Sequence, residues 1–372
     1  MQDLFIADGF HPLTTQEPVM FAKFARIATT ALAAAGLLAV APSASANANR
    51  ATTPDVGVQF HGTWTRYTDA QRIDMLNTLH AAGVTTVRID VSWAMLQPVN
   101  GTSYDAWGTA FVDRVIALCN ARGISPLITL WLTPGWANND AGLYVLPTNV
   151  ADYARVAQWA AARYTDKVAG WEVWNEQNSP AFLVGADPVA YTNLLKAAYP
   201  ALHAGYAGTT VVFGGVEYND DAWISRAYAA GAQGSFDVMA THPYMGMANL
   251  PPDTPDDSTK WTLRHAAAVH DLMVANGDGD KSLWFTEFGW STHANRAGTP
   301  NWELGVPEAV QAQYFTDTIA LIRTAMPWVG KVYWYTGYDS AADDIEQKTN
   351  YDVLRRDQSP KPIMTAISAA NQ

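Results

Sequence analysis

Two glutamates in this sequence stand in closely similar surroundings. Glu176 closes the stretch Trp171-Glu172-Val173-Trp174-Asn175-Glu176, and about 110 residues later Glu287 closes Leu283-Trp284-Phe285-Thr286-Glu287. Each ends a short apolar, aromatic run of the kind that forms a buried strand. A carboxyl group at such a position is poorly solvated, so its neutral form is favoured and its pKa rises. Two of them facing one cleft are what acid-assisted cleavage of a sugar acetal requires. One protonates the leaving oxygen, and the other meets the positive charge that develops at the anomeric carbon.

The elements that must position these carboxyls recur along the chain. From Asp55 on, a short strand with β-branched or aromatic residues is followed by a 12–20-residue helical pattern, then another strand. Strands are expected at Val56–His61, Thr85–Val91, Leu127–Leu132, Gly170–Asn175, Thr210–Gly215, Phe236–Thr241, Leu283–Phe288 and Lys331–Tyr335. Thr68-Asp69-Ala70-Gln71 is a capping box, and Asp187-Pro188 and Val306-Pro307-Glu308 open two later helices. Gly83 and Gly123 end helices just before strands, and a last helix is expected near Pro362–Ala370. Alternating units of this kind imply parallel strands with right-handed crossovers, and eight of them predict a single (β/α)8 TIM barrel over 49–372. An open sheet holding a dinucleotide lacks its G-x-G-x-x-G loop, since Gly214-Gly215 runs into Val216-Glu217.

In such a barrel, function gathers at the C-terminal ends of the strands. There the sequence places His61, Trp64, Arg88, Asp90, Trp131, Asn175, Glu176, Glu217, Tyr218, His242, Tyr244, Glu287, Trp290, Trp334, Tyr335 and Asp339. Aromatic rings, amides and carboxylates in that density suit a carbohydrate. Strands four and seven lie across the ring from one another, so Glu176 and Glu287 can approach to roughly 5 Å, the spacing of retaining enzymes. Glu176 then serves as acid and afterwards as base, and Glu287 as nucleophile. Glu217 is a further carboxylate that can line the site, whereas Glu172, inside its strand, is expected to face a helix or a neighbouring layer.

The 372 residues carry 23 Lys+Arg against 35 Asp+Glu, a net charge of −12. That balance argues against nucleic acid or an anionic membrane as partner and fits a neutral ligand. The 15 tryptophans suit sugar faces as well as cores. Cys119, the one cysteine, lies in a helical pattern and reads as core. No His/Cys/Asp cluster has metal-ligand spacing, so no metal or cofactor is expected. Asn276-Gly277-Asp278-Gly279-Asp280 lacks the downstream glutamate of a calcium loop and reads as a surface turn. Ser291 has no G-x-S-x-G context.

Residues 1–48 read as a leader. Lys23 and Arg26 precede the apolar run Ile27 to Val40, and Ala44-Ser45-Ala46 and Ala46-Asn47-Ala48 are small-x-small cleavage sites. The run is too short to span a bilayer, so the mature chain is expected to be secreted, monomeric and without a membrane segment. Asp3, Asp8 and Glu17 put acid where such a leader is basic, which points to Met20 as the translation start.

The motifs Trp174-Asn175-Glu176 and Thr286-Glu287-Phe288-Gly289-Trp290 resemble those of the clan A glycoside hydrolases, retaining barrel enzymes with glutamates on strands four and seven. Within the clan, Leu130-Trp131-Leu132-Thr133-Pro134-Gly135-Trp136 and Gln311-Ala312-Gln313-Tyr314 look most like bacterial cellulase-like and family 39 proteins. The resemblance covers about 55–368 and implies a role for each matching residue. Asn175 would hold the sugar 2-hydroxyl and Arg88 would steady the Glu287 carboxylate in its ionised form. His242 and Tyr244 would line the reacting subsite, with Tyr244 donating to Glu287, and Trp334 would form its floor. The chain is too short for the β-sandwich that family 39 enzymes usually add, so their substrates do not transfer. Trp131 stands where some relatives have a polar residue. The expected activity is retaining hydrolysis of a polysaccharide or oligosaccharide; the alternative is a non-catalytic sugar-binding barrel. The leader is tested by sequencing the N-terminus of the exported protein. A start just after Ala46 or Ala48 is expected, and one upstream of Ala44 contradicts it.

Overall fold

The computed structural model describes residues 53–338 and 347–372; the leader and Asp339 lie outside them. Among the described residues, nine parallel strand segments form one sheet: β1 (Asp55–Gln59), β2 (Thr86–Ser92), β3 (Ser125–Trp131), β4 (Gly170–Val173), β5 (Val211–Phe213), β6 (Val216–Glu217), β7 (Met239–His242), β8 (Leu283–Phe288) and β9 (Val329–Trp334). They are ordered β5-β4-β3-β2-β1-β9-β8-β7-β6. The two ends meet. Val212 bridges Val238 in parallel, the Phe213 amide donates to the Val238 carbonyl at 2.9 Å, and β6 pairs with β7 through Val216 and Thr241. β5 and β6 are thus two parts of one stave, interrupted at Gly214-Gly215, and the sheet closes into a TIM barrel of eight staves.

Helices return the chain between staves, and their ends follow from local chemistry. Thr68 caps Asp69–Ala81 with both halves of a capping box, and Asp187 caps Pro188–Gly205 with proline in the first turn. Gly83 and Gly123, at φ +79° and +67°, leave two helices through the left-handed region that glycine enters without penalty. The last helix is Pro362–Ala370.

Alternation along each strand sorts side chains between two environments. The outward set (Val56, Val58, Val87, Ile89, Ile128, Leu130, Phe285, Val332 and others) joins the helices in the main apolar core. The inward set fills the barrel in layers. Leu127, Val212, Val238, Ala240, Trp284 and Tyr333 form a small apolar plug. Above it sit the polar residues Arg88, Thr129, Glu172 and Thr286, all fully buried. A buried ion pair, Lys361 to Asp352 at 2.7 Å, also bonds Thr292 and the Asn350 carbonyl, and so ties the loop after β8 to the chain near its C-terminus. No helix among the described residues is long and apolar enough to cross a membrane. Cys119 is buried, and burial pushes its thiol up to about 12.

Candidate active site

The site begins inside the barrel, at the Arg88 guanidinium. Arg88 is fully buried on β2 and is bonded to residues from three other staves. Its Nε donates to Glu172 Oε2 at 2.7 Å. Its Nη1 donates to Gln59 Oε1 at 3.0 Å and to Glu287 Oε1 at 2.5 Å, and its Nη2 donates to Asn175 Oδ1 at 2.7 Å. Glu172 therefore faces the lumen rather than a helix, correcting the expectation from sequence. Its remaining acceptor capacity is met by Thr129 Oγ1 at 2.5 Å and the Gly215 amide at 3.1 Å. A carboxylate in mid-strand reads as misplaced until its partner, which arrives from another stave, is known.

At the mouth of β4 the backbone leaves the strand early. β4 stops at Val173, and Trp174 and Glu176 take φ of +72° and +46°. Left-handed conformations at non-glycine residues cost on the order of 1–3 kcal/mol each and persist only where the surroundings hold them. Here the Trp174 amide donates to the Leu130 carbonyl, its indole Nε1 to the Phe182 carbonyl, and the Glu176 amide to the Gly215 carbonyl. The break in the pleat lets the successive residues Asn175 and Glu176 both reach the mouth. β8 reaches the same result differently. Its register with β9 slips between Phe285 and Phe288, and successive residues Thr286 and Glu287 both join the network.

Glu287 has two donors, Arg88 on Oε1 and the Tyr244 phenol on Oε2 at 3.0 Å. Among the described residues Glu176 has one side-chain hydrogen-bond partner, His242, whose Nδ1 lies 2.9 Å from Oε1, while His242 Nε2 lies 3.1 Å from Thr286 Oγ1. Burial and the Arg88 charge lower the His242 pKa, so its ring is neutral at neutral pH. A neutral imidazole can accept from a protonated Glu176 or, in its other tautomer, donate to an ionised one. Gly215 makes room for this pair: a Cβ there would stand 2.2 Å from His242 Nε2.

Burial raises both glutamates. Glu176 is pushed well above the usual carboxylate range by burial and then by the nearby Glu217 charge. Glu287 is raised by burial too, contrary to a simple reading in which the arginine holds it down, but the Arg88 charge pulls it back. The proton is therefore better held on Glu176. Carboxyl oxygens of Glu176 and Glu287 and a His242 ring nitrogen all lie within 4.8 Å of one another. Such a trio can also bind a cation, but here its atoms are already engaged. Glu176 and His242 touch directly, and both Glu287 oxygens accept from protein donors.

Around this network the expected residues divide. Trp131 ends β3 at the mouth, buried beside Tyr144 and Phe182, its indole N–H without a partner among the described residues. His61 is buried, stacked on Trp64 at 3.7 Å, and its Nε2 also lacks a partner there. Trp334 does not floor the site. It is fully buried on the outward face of β9, packed on Phe288, Trp290 and Phe315, with its Nε1 donating to the Tyr351 carbonyl. Alternation turns the next residue inward instead: Tyr335, half-buried, lies edge-on to His61, Tyr244 and Tyr351. The peptide bond that follows it is cis.

A closed parallel barrel with glutamates at the ends of its fourth and seventh staves is the architecture of the clan A glycoside hydrolases. The profile of glycosyl hydrolase family 1 matches residues 46–233, half the chain, and the chain belongs to that family. A 6-phospho-beta-glucosidase from Clostridium longisporum is 33% identical over 109 residues, covering 26% of this chain and 21% of its own length. Among solved structures, a family 39 glycoside hydrolase from Bacteroides cellulosilyticus superposes with a TM-score of 0.69 at 24% identity, over 86% of this chain and 63% of that one. A GH5_18 protein from Streptomyces cattleya gives 0.65 at 22%, over 86% and 79%. A monomeric beta-xylosidase from Caulobacter crescentus gives 0.64 at 18%, over 85% and 67%. At these identities the likeness is one of fold. This chain spans about a fifth of the curated relative and under two thirds of the family 39 structure.

The Glu217 charge disfavours ionised Glu176, so removing it should lower the Glu176 pKa. In Glu217→Gln the alkaline limb of the kcat/KM–pH profile should move to lower pH while the acid limb stays in place. An unmoved alkaline limb contradicts this placement of the charge.

Proposed function

We propose that this protein is a retaining glycosidase that hydrolyses O-glycosidic bonds of a neutral polysaccharide or oligosaccharide outside the cell. The observation that carries the reading is the unequal provision for two carboxyls whose oxygens lie within 4.8 Å. That spacing suits direct attack rather than the roughly 6.5–9.5 Å that leaves room for a water. Glu287, held by Arg88 and Tyr244, attacks the anomeric carbon as a carboxylate. Glu176 delivers its proton to the departing oxygen as that bond breaks, leaving a glycosyl ester on Glu287. Ionised Glu176 then takes a proton from water, whose oxygen attacks the same carbon and frees Glu287. His242, in the tautomer protonated at Nδ1, donates to Glu176 Oε1 in both halves of the cycle, which leaves Oε2 to carry the transferred proton. Asn175 gives its oxygen to Arg88, so its amide N–H2 is the end left for the sugar 2-hydroxyl.

Charge supports a neutral sugar. Asp90, Glu172, Glu176, Glu217 and Glu287 gather at or beneath the mouth with Arg88 committed among them, a poor setting for a phosphate such as the one named in the Clostridium longisporum relative. Export rests on the leader's composition.

Glu176→Gln and Glu287→Gln, assayed on aryl glycosides and polysaccharides, should each lose roughly 10²–10⁴-fold or more in kcat. Proton NMR of the first-formed product should show retained anomeric configuration. Sugar binding without turnover in the wild type would favour a non-catalytic barrel, unchanged activity in both variants would move catalysis away from these glutamates, and inverted product would remove the nucleophile role from Glu287.

A further inference from the structure

Between β9 and the last helix, Tyr351 reaches the mouth of the barrel, and the backbone on both sides of it is clamped. The Asn350 carbonyl, just before it, accepts from the Thr292 amide at 3.0 Å, the Thr292 hydroxyl at 3.1 Å and the Lys361 ammonium at 3.2 Å. Just after it, the Asp352 carboxylate pairs with the same ammonium at 2.7 Å, and the Val353 amide donates to the Thr336 carbonyl at 3.0 Å. The carbonyl of Tyr351 itself accepts from the Trp334 indole at 2.9 Å. Lys361 and Asp352 are both buried, and buried charges are tolerable only while they stay paired. The stretch around Tyr351 is thus fixed in one position.

The ring placed this way packs edge to face on Tyr244 at 5.8 Å and 76°, and on Tyr335 at 5.8 Å and 77°. Tyr244 and Tyr335 meet at 6.5 Å and 81°, so each of the three rings stands nearly perpendicular to the other two. Gly289, two residues beyond Glu287, leaves the space: a Cβ there would stand 3.2 Å from Tyr351 Cδ1. The Tyr351 hydroxyl makes no hydrogen bond among the described residues, so the ring is what the clamped stretch delivers. Tyr244 is the member of the trio that touches Glu287, its phenol donating to Oε2 at 3.0 Å. A tyrosine aims its hydroxyl through two rotatable bonds, so that hydrogen bond is only as well placed as the ring. Tyr244 is only half-buried, and the edge contacts fix its plane. We infer that Tyr351 is a positioning residue: its ring, set by the Lys361–Asp352 clamp, holds the Tyr244 phenol on the Glu287 carboxylate. The assignment rests on the glycosidase reading and extends the support of the nucleophile from the barrel wall to the C-terminal segment.

The test is the kcat/KM–pH profile, on an aryl glycoside that the wild type turns over, of Tyr351→Ala, Tyr351→Phe, Tyr244→Phe and the double variant Tyr244→Phe/Tyr351→Ala. The acid limb reports ionisation of Glu287, and weakening a donor to the ionised form raises its pKa. The other titratable groups facing Glu287, namely Arg88, Asp90, Glu176 and His242, are the same in every variant. Tyr351→Ala should move the acid limb up by about 0.5–1 pH unit, the scale that one edge-to-face contact sets. Tyr351→Phe keeps the ring and should leave the limb in place. Tyr244→Phe should move it in the same direction, and adding Tyr351→Ala should move it no further, because both act through one hydrogen bond. An acid limb unmoved in Tyr351→Ala, even with a lowered melting temperature, reduces the ring to packing and overturns the assignment. So do additive shifts in the double variant, and so does a loss in Tyr351→Phe equal to that in Tyr351→Ala, which would put the hydroxyl on the substrate. These outcomes leave the glycosidase reading intact; absence of wild-type turnover of every aryl glycoside and polysaccharide overturns both.

Discussion

The structure depends on one buried charge. A guanidinium out of water is tolerable only if paired and fully hydrogen-bonded, and removing one partner of such a pair costs roughly 3–5 kcal/mol. Arg88 meets that demand by drawing in Gln59 from the first stave, Glu172 and Asn175 from the fourth and Glu287 from the seventh. The geometry of the mouth follows from this arrangement. Glu287 is fixed where its carboxylate can react, and Asn175 is oriented by its oxygen. Glu172 pairs with Arg88 beneath the mouth, away from the position where Glu287 would react.

The second glutamate is defined by what it lacks. Glu176 is shut from solvent, faces the charge of Glu217 and is hydrogen-bonded to a neutral imidazole. Burial acts on both carboxyls, but the two neighbourhoods answer it differently, and that separates a proton donor from a nucleophile. The separation needs two local departures from regular strand geometry, the left-handed turn at Trp174 to Glu176 and the register slip near Glu287. Each brings two consecutive side chains to one network, which an unbroken strand cannot do.

Much of this was legible in the sequence because it is local. The capping box at Thr68, Pro188 after Asp187, and the glycines before strands mark helix ends by short-range chemistry, and their repetition implies the barrel. Glu176, Glu287, Arg88, His242 and Tyr244 stand out as polar residues at the ends of apolar runs. Side-chain direction was less legible. The floor role that resemblance implies for Trp334 fails because alternation with Tyr333 and Tyr335 turns it toward the helices. The inward turn of Glu172 and the space at Gly215 for His242 depend on partners from other staves, and no local pattern reports those.

The most direct measurement is to trap the intermediate. A 2-deoxy-2-fluoro glycosyl fluoride slows both steps but leaves by the first, so the glycosyl ester should accumulate. Peptide mapping by mass spectrometry should place that sugar on the peptide containing Glu287, with a stoichiometry approaching one and none on Glu176. A label on another residue, or continued turnover without a covalent adduct, would contradict the account of Glu287 as the group that Arg88 holds ready to attack.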